Sequence, residues 1–288
     1  GGSRPTVINA SWAAWEYLAP KPGGNVAHLY DSTNLQIFDN TPATGGQYRG
    51  TTNSETNATN WREKYGLRGW NNGVEQTGLF SWPYQLSTID AEMKTLTDAG
   101  IMVVLAGGNN SDKLARPTDE DYNNYIEGTN WALYGIEDGK IYYNRKSTPN
   151  LSGGAGLELP GLIVGSLDIT PKNSSQDRKT GASSSGKGVH LYAAGDSITS
   201  AHPGSTTINY SGTSMAAPQV TGMVALLMQA HPDWSPTQWT NWFKTNTTDK
   251  IYSAGQTDWS DANSLFGGEP KVAYFPLNGS KVFEISGS

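Results

Sequence analysis

Asn209-Tyr-Ser-Gly-Thr-Ser-Met-Ala-Ala-Pro-Gln-Val-Thr-Gly222, followed by the apolar run Met223-Val-Ala-Leu-Leu-Met228, decides how the rest of this chain is read. A serine set between small residues, where a turn becomes a helix, has its hydroxyl at the helix N-terminus, where unpaired N–H groups point outward and favour negative charge. That is how a nucleophile is presented to a carbonyl. Gly212 and Thr213 allow a tight bend before Ser214, and Ala216 and Ala217 are expected to keep the flanking surface low for an approaching substrate. Pro218 is expected in the first helical turn, where its missing N–H is no loss. An ordinary capped helix, with Thr213 or Ser214 as N-cap, would account for an isolated Gly-Thr-Ser. It does not account for the whole Gly-Thr-Ser-Met-Ala-Ala-Pro string.

That string resembles the nucleophile motif of the subtilisin-like serine peptidases, or subtilases, and the resemblance implies that Ser214 is the acyl-forming serine. Upstream, Ile101-Met-Val-Val-Leu-Ala106 is a continuous apolar run, the mark of a strand in a parallel sheet covered on both faces. It ends in Gly107-Gly-Asn-Asn110. Amide hydrolysis passes through a tetrahedral oxyanion, to which a neutral side-chain amide at a strand end donates without adding a charge. An Asn there would serve equally as a left-handed turn residue. In subtilases the oxyanion asparagine sits in an Ala-Gly-Asn turn after this strand, so the resemblance implies Asn109 rather than Asn110, with Ala106, Gly107 and Gly108 beside the substrate. Thr6-Val-Ile-Asn9, leading into Ala10-Ser-Trp-Ala-Ala14, reads as a buried strand ending in a tight turn. It is similar to the subtilase strand whose Ser-x-Gly turn walls the substrate cleft, here Ser11-Trp12-Ala13. Alanine in place of glycine, with Trp12 beside it, is expected to narrow the subsites. The plainer reading of Trp12 is a cover for the core.

The remaining elements follow from local signals. Ser87 to Ala99 reads as a helix with a capping serine, a buried face of Ile89, Met93 and Leu96, and Gly100 as its stop. Leu162-Ile-Val-Gly-Ser166 is the next buried strand, and Gly188 to Gly195 with Asp196 to Ser200 resembles the subtilase segment before the nucleophile. His231-Pro-Asp-Trp-Ser-Pro236 stops one helix and restarts another, from Thr237 to Thr245, packing Trp239, Trp242 and Phe243. Lys271 to Pro276 reads as an edge strand. The expected fold is α/β, a mainly parallel sheet with helices on both faces in three layers, and its site at the carboxyl ends of the strands. Residues 1–258 form the expected domain, with long insertions at about 16–83 and 111–159 and an extension at 259–288.

Composition narrows the function classes. With 288 residues the chain holds one substantial core. A net charge of -6, from 26 acidic and 20 basic residues, leaves no basic patch for nucleic acid and no polybasic segment for anionic lipid. No run is long and apolar enough to span a bilayer. The absence of cysteine excludes disulfides, thiol catalysis and thiolate metal sites. No cofactor is required; the acidic cluster Asp119-Glu-Asp121 offers the oxygen ligands Ca2+ takes, although its spacing fits no standard calcium loop and a solvated acidic face is the plainer reading.

The general base is missing. Subtilases carry an aspartate after a first strand and a histidine in a His-Gly-Thr-His helix, both upstream of the segment resembling Thr6 to Ala13. The chain contains neither motif. Its histidines are His28, His190, His202 and His231, and only His28 with Asp31 makes a local His/Asp pair. The resemblance implies a serine endopeptidase acting on proteins or peptides, with Asp and His supplied by an N-terminal segment outside this chain. That segment would pair along Thr6 to Asn9 as a separate piece after a cut in a loop, for which the peptidase itself is a candidate. The alternative is an inactive subtilase domain serving as a scaffold or binding module. Arg4 to Asn9, Asp121 to Ile126 and Tyr142 to Pro149 are similar to subtilase-like structural proteins of tailed-phage particles, which implies a virion or extracellular location.

Overall fold

Two apolar runs, Ile101–Ala106 and Leu162–Leu167, form the centre of a six-stranded sheet. The computed structural model describes residues 4–13, 86–119, 121–124, 144–146, 149–153, 157–171, 176–251 and 264–274, with Tyr142, and, as backbone alone, short strands elsewhere. In chain order the strands are β1 (Thr6–Ala10), β2 (Trp15–Leu18), β3 (His28–Tyr30), β4 (Gln36–Asp39), β5 (Gln47–Tyr48), β6 (Thr51–Thr52), β7 (Phe80–Pro83), β8 (Ile101–Ala106), β9 (Tyr125–Glu127), β10 (Lys140–Tyr142), β11 (Leu162–Leu167), β12 (Leu191–Ala194), β13 (Ile198–His202), β14 (Thr206–Tyr210), β15 (Thr247–Thr248) and β16 (Val272–Ala273). The described helices are α1 (Ser87–Asp98), α2 (Thr213–Ala230) and α3 (Pro236–Thr245).

The main sheet runs β1-β8-β11-β12-β16-β15 and is parallel except for the pair β15 with β16. Alternation along β8 sends Met102, Val104 and Ala106 to one face, where Ala216, Ala217, Val220 and Val224 of α2 and Trp239 and Phe243 of α3 cover them. Val103 and Leu105 point to the other face, against Met93 of α1. This is the expected three-layer α/β arrangement. Each fully buried Val or Leu here contributes about 1.5–3 kcal/mol.

Several local expectations are corrected. Ser87 is the first helical residue of α1, with Leu86 at the N-cap and no side-chain cap; Met93 is buried and Leu96 packs against the core as expected, but the other buried positions are Asp90 and Thr97, each one residue on from the expected Ile89 and Leu96. Asp90 is held inside because its carboxylate accepts from the backbone N–H and side-chain amide of Asn150. The helix α2 starts at Thr213 with Gly212 as N-cap, so Pro218 lies in the second turn rather than the first. Ala216 and Ala217 face the sheet and are fully buried; their small size lets α2 approach the strands and does not shape the substrate side. β16 is an interior strand between β12 and β15, and Leu265 and Phe266 are buried, so residues 264–274 of the expected extension pack within the main domain. The start of α3 is set by a reciprocal capping box between Ser235 and Gln238.

Strands from the two expected insertions share one antiparallel sheet, β10-β9-β3-β4-β5-β6, and β2 pairs with β7. Asp31 lies outside the described residues. Among the described residues no helix is long and apolar enough to cross a membrane.

Candidate active site

The carboxyl ends of β1 and β8 and the N-terminus of α2 meet at one place. Gly212 reaches the conformation φ 148°, ψ 169°, a region occupied almost only by glycine, and α2 begins at the next residue. Ser214, second in that helix, is half-buried, and its Oγ donates to the carbonyl of Ser11 at 3.1 Å. In return, Ser11 Oγ donates to the carbonyl of Ser214 at 3.1 Å. The turn after β1 is thereby fastened to the head of α2.

Asn109, in the turn after β8, is fastened to the same helix. Its Oδ1 accepts from the Thr213 N–H at 2.9 Å and from Thr213 Oγ1 at 3.0 Å. That hydroxyl in turn accepts from the Gly108 N–H at 3.0 Å. With Oδ1 committed, the amide orientation is fixed, and Nδ2 donates to no described residue. It lies against Gly212, 3.0 Å from where a Cβ would stand. Asn109 is exposed, as a donor to a substrate must be. Thr213 carries this arrangement, and no local pattern announces its bond to Asn109, because the partners lie 104 positions apart.

The expected cleft residues are placed unevenly. Trp12 is 50% exposed beside Ser11, so it is not a cover for the core, and Ala13 is half-buried. Ala106 is buried under α2, and Gly107, also buried, donates its N–H to the Val164 carbonyl. Of the expected residues in this turn, Gly108 is half-buried and Asn109 exposed.

None of the three histidines with described side chains is a hydrogen-bond partner of Ser214. His190, immediately before β12, is buried; its Nδ1 accepts from the Ile163 N–H at 3.0 Å and its Nε2 lies 2.9 Å from Glu158 Oε1. Accepting at Nδ1 requires a neutral ring with its proton on Nε2, and burial accordingly pushes its pKa down. The bond from His190, with Lys244 at 2.8 Å, holds the Glu158 carboxyl down to about 2 against the opposing effect of burial. This buried group is structural. His202 ends β13 on an exposed hairpin, and His231 stacks on Trp234 at 3.9 Å. His28 belongs to β3, of whose side chains nothing is described. Asp119 pairs with Arg116 at 3.0 Å and Asp121 with Lys113 at 2.9 Å, and no cluster of three acidic or histidine side chains suited to a metal occurs among the described residues.

A model of the subtilase family matches residues 3–263. Subtilisin BL of Lederbergia lenta is 25% identical over 190 residues, covering 64% of this chain and 55% of that protein. Subtilisin E of Bacillus subtilis (strain 168) is 39% identical over 79 residues, 27% of this chain and 20% of that protein. The chain spans about half the length of Subtilisin BL or less of its other curated relatives. A crystal structure of a cold adapted subtilisin-like serine proteinase is similar over 66% of this chain and 51% of that one, at 24% identity and a TM-score of 0.42.

Proposed function

Because this chain belongs to the subtilase family, we propose that it hydrolyses peptide bonds in proteins or peptides through an acyl-enzyme on Ser214. The observation that carries this reading is the orientation of Asn109: its Oδ1 is tied to Thr213 and its Nδ2 is left as an uncommitted donor beside the nucleophile. In the proposed reaction Ser214 Oγ attacks the scissile carbonyl. The developing oxyanion takes hydrogen bonds from Asn109 Nδ2 and from the Ser214 N–H, which, as one of the first N–H groups of α2, has no helical acceptor. Ser11, Trp12, Ala13 and Gly108 flank the substrate.

The attack needs a base to take the Ser214 proton, which at rest is given to the Ser11 carbonyl. We assign the base and its orienting aspartate to a segment outside this chain. Two surfaces support that reading. β1 is paired on one side alone among the described strands, leaving a free edge on the sheet. The helix α2 is apolar almost all round, as a buried helix is, yet Pro218, Gly222, Ala225 and Leu226 are exposed on its outer face. A segment adding a strand to β1 and a helix over α2 covers both and brings its side chains to Ser214. The second reading, an inactive scaffold, is favoured by the parked Ser214 hydroxyl and by the described histidines being held elsewhere.

Hydrolysis of a denatured protein by the complete protein, lost on Ser214→Ala, is the result expected. Turnover that persists in Ser214→Ala would remove Ser214 from the reaction, and no turnover in the folded parent would favour the scaffold.

A further inference from the structure

We propose that Asn9 and Ser11 form a positioning device for the Ser214 peptide, made necessary by Pro218; this deepens the reading of Ser214 as nucleophile and rests on it. In an α-helix each carbonyl accepts from the N–H four residues on. For Ser214 that residue is Pro218, which has no N–H and whose ring crowds the same carbonyl. The Ser214 carbonyl is thus orphaned at the head of its own helix, and it takes the hydroxyl of Ser11, 203 positions away, at 3.1 Å.

The hydrogen of that hydroxyl is directed by its neighbours. Ser11 Oγ accepts from Asn9 Nδ2 at 3.0 Å; the reverse arrangement, Ser11 donating to Asn9 Oδ1, is the longer contact at 3.4 Å. Asn9 Oδ1 in turn faces Thr221 Oγ1 at 3.3 Å, a hydroxyl shared with the Ala217 carbonyl at 2.9 Å. With Asn9 Nδ2 donating to its oxygen, Ser11 has its single proton to give to Ser214. Asn9 is exposed, so core packing does not explain it.

The device fixes the first turn of α2 from the strand side while Asn109 and Thr213 fix it from the other. Ser214 Oγ and N–H are held in register with Asn109 Nδ2 by both. Asn9 touches neither substrate nor nucleophile and acts through Ser11; it is a positioning residue. Without it the Ser11 hydroxyl is free to turn, and the head of α2 rocks about an unpaired carbonyl.

The test is the rate at which a fluorophosphonate labels Ser214 in the complete protein, with kcat and KM on a peptide substrate. Ser11→Ala lowers the labelling rate and kcat about 10-fold, the order that one hydrogen bond supplies, and leaves KM within about twofold. Asn9→Ala lowers them about 3-fold, and the double variant is no slower than Ser11→Ala alone, because the two act in series. Pro218→Ala is decisive: it returns an N–H to the Ser214 carbonyl, so in that background the Ser11→Ala loss shrinks to less than about twofold. Asn9→Asp, which keeps the acceptor and loses the donor, falls as far as Asn9→Ala; since Asn9 is exposed, this arm stands even if Ser11→Ala does not fold. An unreactive Ser214 in the parent overturns the proposed function. A reactive Ser214 with equal Ser11→Ala losses in both backgrounds, with additive Asn9 and Ser11 losses, or with Asn9→Asp as fast as the parent, overturns this inference alone.

Discussion

Replacing Gly212 by alanine tests whether the Asn109 amide must stand where it does. At φ 148° and ψ 169° a non-glycine residue carries about 1–3 kcal/mol of backbone strain. The added Cβ would stand 3.0 Å from Asn109 Nδ2 and 3.3 Å from Oδ1, closer than ordinary contact, so the amide yields by a few tenths of an ångström. Oxyanion donors work over a range of about 2.7–3.1 Å, and removing one lowers kcat about 10²–10³-fold; a partial displacement is expected to lower kcat about 10-fold. The strain lowers Tm by about 2–12 °C, at about 2–4 °C per kcal/mol for a chain of this size. Gly204→Ala is the control, because Gly204 has φ +83° on the exposed hairpin with nothing within 4 Å of its Cβ position. It suffers backbone strain without touching the site. Melting curves and kcat are measured for both. Gly212→Ala is expected to lose both stability and turnover, Gly204→Ala stability alone. Parallel losses of stability with full kcat in both variants would refute the role given to the Asn109 geometry.

Asn109→Ala is expected to lower kcat about 10²–10³-fold with little change in KM, read from steady-state kinetics; an equal loss in binding and turnover would contradict a role confined to the transition state. Stability toward acid depends on Glu158 and His190. The Glu158 carboxyl, held at about 2 against an ordinary 4.5, contributes stability that is complete above pH 4.5 and is lost as pH falls toward 2. The depressed His190 adds an earlier loss, beginning as pH falls below its ordinary 6.5. Urea denaturation at several pH values is expected to show Glu158→Gln less stable at pH 7 and converging with the parent below about pH 4; a gap that does not change with pH would contradict the assignment.

The sheet and the helix start at Ser214 were legible because their signals are local. The unbroken run Ile101 to Ala106 places β8 between two layers, and the small residues around Ser214 mark a turn at a helix start. Distances across the chain were not legible. Thr213 to Asn109 and Ser11 to Ser214 are bonds between residues more than a hundred positions apart, and no periodicity announces them. The inward face of α1 was legible at Met93 and Leu96 but not at Asp90, whose buried carboxylate is satisfied by Asn150 in an irregular stretch. The roles of Ala216 and Ala217 turned on a helix start that the motif leaves ambiguous: once Gly212 is the N-cap, both alanines fall on the sheet side. The interior place of β16 follows from β15, two threonines with no strand pattern of their own.

The central claim is that Ser214 is an activated nucleophile once its base is in place. Treating the complete folded protein with a fluorophosphonate and locating the adduct by peptide mass spectrometry tests it most directly, because an unassisted serine hydroxyl does not react. The account predicts one adduct, on Ser214, formed faster as pH rises through the titration of the base and absent after denaturation. An unmodified Ser214 in protein shown to be folded, or an adduct on another serine, would contradict it.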